Sequence, residues 1–229
     1  MKLHIVAICL AIGLNACVNN DELESQKQNS QFPKDYSALS DFSDSLNNDT
    51  STWSYRIKTD RVRDGNYDLM TESGIQSIWQ PNTFCWISNN QAGIGSNATG
   101  SPITYIGNQY AFNWPQATLW LHPLQNGLVI LSWLSPRDGN VTINYSFDDI
   151  DVNGIGRGGD GIIWYIDLGD ENGNLDSGTI NEGADGTGIL EMSSVMVKAG
   201  DRINFIVDPN NNYLFDSTAV IANISFLDP

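Results

Sequence analysis

Residues 117–147 read ATLWLHPLQNGLVILSWLSPRDGNVTINYSF, and this stretch decides the fold class. Its apolar runs are separated by Asn126-Gly127 and by Asp138-Gly139. Asn-Gly and Asp-Gly between such runs are typical of β-hairpin turns. The stretch therefore predicts three consecutive antiparallel strands, over 117–121, 128–134 and 141–147.

The same alternation of apolar runs and turn residues continues on both sides. Residues 53–57 show the period-two pattern of a half-buried strand, and no long window shows a helical period. We therefore predict an all-β fold, an antiparallel β-sandwich with the strand order of a jelly roll. Its remaining strands are predicted over 161–167, 189–197, 202–207 and 219–226.

The composition limits the kinds of partner. The 229 residues include 27 Asp and Glu against 11 Lys and Arg, which gives a formal net charge of −16. Nucleic acids are bound by clusters of Lys and Arg. The sequence has no such cluster, so we predict no nucleic-acid partner.

Histidine and cysteine are too scarce for several kinds of site. The chain has two His and three Cys, and His4 and Cys9 lie in an apolar N-terminal segment. Two-histidine zinc motifs are therefore excluded. A Ser-His or Cys-His mechanism would have to use His122, which we interpret as structural. Cys85 is predicted to be a buried apolar residue.

The N-terminal segment has the features of a lipoprotein signal. Residues 3–14 form an apolar stretch that is too short to span a bilayer. It ends in Leu14-Asn15-Ala16-Cys17, which resembles the lipobox of bacterial lipoproteins. The resemblance implies cleavage before Cys17 and attachment of lipid to its sulfur. The alternative is a plain secretory signal with an incidental cysteine.

These features divide the chain into three parts. Residues 1–16 are the predicted signal peptide, residues 17–48 a lipidated flexible tether rich in Asn, Ser, Asp and Gln, and residues 49–229 the β-sandwich domain. Because Val18 follows the cysteine, the resemblance favours the outer membrane of a bacterial cell envelope, with the lipid anchor as the membrane contact. In an alternative placement, the part after Tyr36 packs on the edge of the domain.

Several short motifs follow one another between Trp114 and Phe226. They are Leu121-His122-Pro123, Leu131-Ser132-Trp133, Pro136-Arg137-Asp138-Gly139, Ser146-Phe147-Asp148-Asp149, Gly159-Asp160-Gly161-Ile162, Ala199-Gly200-Asp201-Arg202-Ile203-Asn204-Phe205 and Asp216-Ser217-Thr218. This half of the chain resembles a β-sandwich module of secreted bacterial proteins. Such jelly rolls are similar to carbohydrate-binding modules, which often hold a structural calcium ion. Because the shared pattern consists mostly of turn and core residues, the resemblance says more about fold than about function.

One acidic stretch has the spacing of a calcium loop. Asp149, Asp151 and Asn153 alternate before Gly154, and Asp160 follows. Ca²⁺ prefers six to eight oxygen ligands, and this is the EF-hand loop pattern with Asp in the last place. We predict these four residues as ligands of a structural Ca²⁺ between two strands. The alternative is an acidic turn without metal.

Two other loops repeat the alternation of Asp and Asn less completely. We interpret both as solvated hairpin tips rather than as metal sites. Their residues are Asp170, Asn172, Asn174 and Asp176 in one loop, and Asp208, Asn210, Asn212 and Asp216 in the other.

The region from residue 75 to residue 114 is rich in aromatic and amide side chains and reads as poor in strands. Aromatic rings with a polar tip suit sugar stacking, and long loops on a scaffold often carry binding sites. We predict polysaccharide or oligosaccharide binding here, unless these rings are core residues at the end of the sandwich. The predicted ligand-binding residues are Trp79, Trp86, Tyr105, Tyr110 and Trp114.

Two alternatives to a carbohydrate-binding protein stay open. A polysaccharide-degrading enzyme would need a pair of carboxylates, for which Glu72 with an Asp is the candidate. The sequence has no nucleophile-elbow, P-loop or dinucleotide fingerprint. The third possibility is a structural or adhesion lipoprotein with a protein partner.

Overall fold

The computed structural model describes residues 32–75, 83–88, 92–106, 111–152 and 157–227. From Lys34 onward the chain forms one compact unit. No helix in these described ranges is long and apolar enough to cross a membrane. The predicted lipid-bearing Cys17 lies outside the described residues.

The described residues form strands connected by turns, with a single 3-10 turn at Glu171–Gly173. The strands are β1 (Asp35–Ser37), β2 (Trp53–Lys58), β3 (Asp68–Leu69), β4 (Glu72–Ile75), β5 (Phe84–Ser88), β6 (Ala92–Asn97), β7 (Ile103–Ile106), β8 (Ala111–Trp114), β9 (Thr118–His122), β10 (Leu128–Leu134), β11 (Gly139–Asp149), β12 (Ile162–Leu168), β13 (Asn174–Ile180), β14 (Leu190–Val197), β15 (Arg202–Asp208) and β16 (Thr218–Phe226).

Two antiparallel sheets build the sandwich. The larger has the order β14-β11-β16-β9-β6-β5-β4, and β1 also pairs with β16. The smaller has the order β13-β12-β15-β10-β2-β3. The last eight strands alternate between the sheets as β9-β16-β11-β14 and β10-β15-β12-β13, which is the order of a jelly roll. The predicted all-β sandwich is confirmed.

The main core lies between the two sheets because each strand turns every second side chain toward the facing sheet, and most of these side chains are apolar. Tyr55, Leu131 and Phe205 face it from the smaller sheet, and all three are fully buried. Across the interface, the rings of Phe147 and Trp164 stack with centroids 5.0 Å apart. Burial of such aromatic and aliphatic side chains supplies the main driving force for folding.

A second core lies between the larger sheet and the pair β7-β8. It contains Cys85, Trp120 and Ala219 from the sheet, with Phe112 and Trp114 from β8. Gly93 and Gly95 make this packing possible: a Cβ on Gly93 would lie 2.6 Å from the ring of Trp120, and one on Gly95 would lie 2.7 Å from the sulfur of Cys85.

The structure extends the sandwich in two places beyond the prediction. Residues 35–48, assigned from sequence to the tether, are part of it: Tyr36 pairs with Ile224, and Ala38 is fully buried. The region from residue 75 to residue 114, expected to be poor in strands, contributes β5 and β6 to the larger sheet and also forms the separate pair β7-β8.

Candidate functional site

A cleft of about 320 Å³ opens between the segment before β2 and the strands β5 and β6. We call it the Phe42–Phe84 cleft. Its lining residues are Phe42, Asp44, Phe84, Ser96, Ala98 and Thr99. Both phenylalanine rings are half-buried, and Asp44 is exposed.

The Phe42 side of the cleft is fixed by contacts to both sheets. The main-chain N–H of Ser43 donates to the hydroxyl of Tyr55 at 2.8 Å. The indole N–H of Trp86 donates to the carbonyl of Ser43 at 2.7 Å. The ring of Phe42 lies 4.8 Å from that of Tyr55. Because Tyr55 and Trp86 are core residues, this side is held by rigid strands.

The opposite side is formed by β5, β6 and the turn after β6. Phe84 lies edge-on to Trp86, with centroids 6.2 Å apart. Asn97 is fully buried and holds the turn: it donates to the carbonyls of Trp114 and Pro115, and it accepts a 2.7 Å hydrogen bond from the hydroxyl of Thr99. The cleft is thus largely preformed.

The chemistry of this cleft suits an uncharged polyol. Two aromatic faces can contact C–H groups, and the carboxylate of Asp44 accepts hydrogen bonds. The hydroxyl of Ser96 can donate or accept them, whereas that of Thr99 can accept them, because its proton is donated to Asn97. None of the six lining residues is basic, so phosphate or other anions would lack a cationic partner.

A larger cleft of about 490 Å³ lies at the β2–β3 and β12 ends, lined by Asp64, Asn66, Asp170, Asp201 and Arg202 among others. No aromatic residue lines it. Of these two clefts, the Phe42–Phe84 cleft therefore offers the better sugar-stacking surface.

The five predicted ligand-binding aromatics do not form one exposed face. Trp86 belongs to the main core and Trp114 to the second core, with 6% and 2% exposure, so the expectation of exposed rings is wrong for these two. Tyr105 is half-buried and stacks on Phe112 at 5.5 Å. Trp79 and Tyr110 lie outside the described residues.

The predicted calcium residues belong to the segment that connects β11 to β12: Asp149 ends β11, Asp151 follows it, and Asp160 precedes β12. Asp149 accepts hydrogen bonds from the main-chain N–H groups of Asp151 and Gly183. Asp160 accepts from the main-chain and side-chain N–H groups of Asn211 and from the side chain of Asn212. Asn153 lies outside the described residues.

The loop from Asp208 to Asp216, interpreted as a solvated hairpin tip, is buried at both of its ends. Asp208 and Asp216 are 3% and 1% exposed, whereas Asn212 is half-buried. Asp208 forms an ion pair with Arg61 at 2.7 Å. The prediction of a solvated tip is therefore wrong for these two aspartates.

The structure also places His122, Cys85 and Glu72, the other residues considered in the sequence analysis. His122 is half-buried between Trp120 and Tyr213, with ring centroids 5.9 Å and 6.0 Å away, which fits a structural role. Cys85 is 1% exposed, and burial raises the pKa of its thiol to about 12. Glu72 is exposed at the start of β4.

Sequence reasoning missed Phe42 and Phe84 as site residues. Phe42 stands in a polar segment whose composition predicts a tether, and Phe84 lies in the aromatic region but is not among the predicted ligand-binding residues. The signal that could have found Phe42 is that an aromatic residue in such a segment needs an apolar contact.

No protein-family model and no curated protein sequence matches the chain. Solved structures with a likeness in shape include the three that follow. The M60 catalytic domain with two CBM51 domains of Clostridium perfringens ZmpB has 13% identity and a TM-score of 0.41, over 85% of this chain and 20% of that one. The active domain of bacteriophage CBA120 tailspike protein 4 has 10% identity and a TM-score of 0.38, over 83% and 21%.

The third structure is the family 29 carbohydrate-binding module CBM29-2. It has 15% identity and a TM-score of 0.30, over 58% of this chain and 93% of that one. The chain spans about a fifth of the length of the first two structures. Carbohydrate-binding modules are thus among its structural neighbours.

Proposed function

We propose that the protein binds an oligosaccharide or polysaccharide in the Phe42–Phe84 cleft. The observation that carries this proposal is the pairing of two half-buried phenylalanine rings with a carboxylate and two hydroxyls in one cleft. Ligand sites combine an apolar surface with a few polar groups that fix orientation, and a sugar ring presents both an apolar face and hydroxyls.

The charge of the site favours a neutral glycan. Asp44 is the charged residue lining the cleft, and the chain as a whole carries a formal charge of −16. A polyanionic glycan would be repelled by both, because like charges raise the free energy of association. We therefore expect neutral hexose or pentose polymers among the ligands.

We further propose that the protein is anchored in the bacterial envelope through lipid on Cys17. Several buried acyl chains would hold it stably at a membrane. Cys17→Ala tests this proposal: we expect the protein to move from the membrane fraction to the soluble fraction. If wild-type protein is already soluble when expressed with its own N-terminus in a lipoprotein-processing bacterium, the anchoring proposal is wrong.

The binding proposal is tested with the full chain on a glycan array. A neutral polysaccharide that binds the protein on the array is then used in affinity electrophoresis. We expect Phe84→Ala to weaken binding about tenfold, the loss typical of one stacked aromatic contact. Asp44→Asn should weaken binding less, since the amide keeps one acceptor. Tyr105→Ala is the matched control, because Tyr105 is also half-buried but lies on β7.

Two results would contradict this assignment. Absence of retention on every neutral glycan, with an intact folded state, would contradict glycan binding itself. Loss of binding in Tyr105→Ala but not in Phe84→Ala would move the site to β7.

Product analysis of the same incubations separates binding from hydrolysis. Depolymerisation of the polysaccharide that is abolished in Glu72→Gln would favour the polysaccharide-degrading enzyme over the binding protein.

A further inference from the structure

One wall of the Phe42–Phe84 cleft comes from residues 35–48, which precede β2 and which we call the docked segment. Its strand is β1, which has three residues. The segment supplies Phe42 and Asp44 of the cleft, whereas the other four lining residues belong to β5, β6 and the turn after β6. The cleft is therefore complete only while the docked segment lies on the sandwich.

At its start, the docked segment is attached to the sandwich through β1. The buried ring of Tyr36 contacts the rings of Trp133 and Phe226 in the main core. The main-chain N–H of Ala38, which is also buried, donates to the carbonyl of Ala222 at 3.0 Å. None of these residues lines the cleft, so attachment at this end depends on contacts outside the binding site.

At its other end, the docked segment is attached to β2. The side chain of Asn47 donates to the main-chain carbonyl of Tyr55 at 2.8 Å and accepts from the N–H of Tyr55 at 2.9 Å. It also donates to the carbonyl of Met70 at 2.9 Å. Together with the hydrogen bonds of Ser43 to Tyr55 and Trp86, these contacts hold the part of the segment that follows Phe42.

A hydrogen-bonded turn joins β1 to Phe42. The N–H of Asp41 donates to the carbonyl of Ser37 at 2.9 Å, and the carboxylate of Asp41 accepts from the N–H of Ser37 at 3.1 Å. The same carboxylate accepts from the indole N–H of Trp53 at 3.3 Å. The N–H of Phe42 donates to the carbonyl of Leu39 at 3.3 Å. Because these bonds span the turn, separation of β1 from the sandwich also displaces Phe42.

The docked segment is less buried than the strands beneath it. Of its 14 residues, two are buried and six are exposed, whereas six of the seven residues of β10 are buried. Regions with few buried apolar contacts open at a lower free energy than core strands do. We therefore expect the docked segment to open and close as one unit while the jelly-roll strands stay folded.

We propose that ligand binding in the Phe42–Phe84 cleft is coupled to attachment of the docked segment, an inference that rests on the proposed glycan site. A ligand in the cleft contacts Phe42 on the segment and Phe84 on β5, so it binds the closed form. Binding therefore stabilises the attached segment, and any change that opens the segment weakens binding by the same factor.

The coupling also sets the reach of the protein. The docked segment is the last part of the chain between Cys17, the proposed lipid anchor, and β2. Its release frees 14 residues, which span about 45 Å when fully extended. The empty protein thus searches a larger volume around its anchor, whereas a bound glycan holds the sandwich closer to the membrane.

The first measurement needs no ligand and follows hydrogen exchange of the full chain by mass spectrometry. Tyr36→Ala should speed exchange about tenfold or more in residues 42–48, although Tyr36 contacts the core at the other end of the docked segment. Asn47→Ala should speed exchange in residues 35–39 in the same way. It also serves as the second variant if Tyr36→Ala does not fold.

Arg63→Ala is the matched control for a general loss of stability. Arg63 contacts Asp167 and Tyr165 on β12, and its truncation should leave exchange in the docked segment unchanged. Faster exchange in Tyr36→Ala that is confined to residues 35–39 would overturn the proposal, because the cleft wall would then not follow β1.

The second measurement uses the neutral polysaccharide that binds the protein on the glycan array. In affinity electrophoresis, Tyr36→Ala should weaken binding about tenfold, and Arg63→Ala should leave it unchanged. The polysaccharide should also slow exchange in residues 35–39 of the wild-type protein, none of which lines the cleft. Equal binding by wild type and folded Tyr36→Ala would overturn the coupling and leave the glycan site intact. Absence of binding to every neutral glycan would instead contradict the glycan site, and the coupling with it.

Discussion

The ring of Tyr36 lies edge-on to that of Trp133, with centroids 5.5 Å apart and planes at 65°. Trp133 is fully buried on β10, and Tyr36 also contacts Phe226 at 6.2 Å. A residue from the segment predicted as tether therefore completes the main core of the sandwich.

Tyr36→Ala should lower the free energy of unfolding by about 3 kcal/mol, the loss typical of truncating a buried aromatic residue. Tyr36→Phe should cost almost nothing, since the hydroxyl of Tyr36 has no hydrogen-bond partner in the described residues. Urea unfolding of the two variants checks this difference. Equal losses would show that the hydroxyl, not the ring contact, matters.

Gly95→Ala should destabilise the second core by about 1–3 kcal/mol through overpacking, because the new Cβ would lie 2.7 Å from the sulfur of Cys85. Adding Cys85→Ala should recover part of that loss, with a coupling energy of about 1 kcal/mol in a double-mutant cycle. Gly74→Ala on β4 is the control, since no atom lies within 4 Å of the added Cβ. Additive losses in the cycle would contradict this packing.

The guanidinium of Arg63 contacts both carboxylate oxygens of Asp167, at 2.6 and 2.7 Å, and lies 3.7 Å from the ring centre of Tyr165. Asp167 is fully buried. Arg63→Ala should therefore cost about 3 kcal/mol at pH 8, because it leaves a buried charge unpaired. Lys58→Ala, which breaks a more exposed pair with Asp64, should cost much less.

This loss should depend on pH in a definite direction. Burial already raises the pKa of Asp167, against the lowering by Asn174 and Arg63, and removal of Arg63 raises it further. A carboxyl group with a raised pKa in the folded state favours folding when protonated, and that contribution is lost as pH rises. Unfolding at pH 5 and pH 8 should show the smaller deficit at pH 5; a deficit independent of pH would contradict the buried ion pair.

Cys85 should be inert to thiol reagents in the folded protein. Burial raises the pKa of its thiol to about 12, and the thiolate is the reactive form. In a chain with Cys9→Ser and Cys17→Ser, DTNB should react at pH 8 only after addition of guanidinium chloride. Rapid labelling without denaturant would show that the second core opens readily.

The sequence predicted strands well where one face is apolar and turns are marked. Residues 128–134 are β10 as predicted, since a short apolar run between marked turns gives a clear signal. β13 was missed because it lies at a sheet edge and is largely exposed, so its sequence NLDSGTI lacks an apolar face. β6 was missed because its glycines make room for large side chains from neighbouring strands.

The candidate sites were harder to predict, since they depend on contacts between distant segments. Spacing alone pointed to Asp149, Asp151 and Asp160, but it could not reveal that Asp216 is buried among them. Likewise, Phe42 and Phe84 become neighbours only when the segment before β2 packs on β5. Trp86 and Trp114 have the residue type of a sugar platform, and only burial shows that they are core residues.

The pairing of β1 with β16 also has a mechanical meaning. Tension applied to the chain before Lys34 acts first on β1. At one end of β1, the main-chain carbonyl of Lys34 accepts a hydrogen bond from the N–H of Phe226 at 2.9 Å. At the other end, the N–H of Ala38 donates to the carbonyl of Ala222 at 3.0 Å. Hydrogen bonds of an antiparallel pair run across the strand direction, so tension along β1 shears them together. β1 must therefore separate from β16 and release Tyr36 before tension passes along the chain to β2.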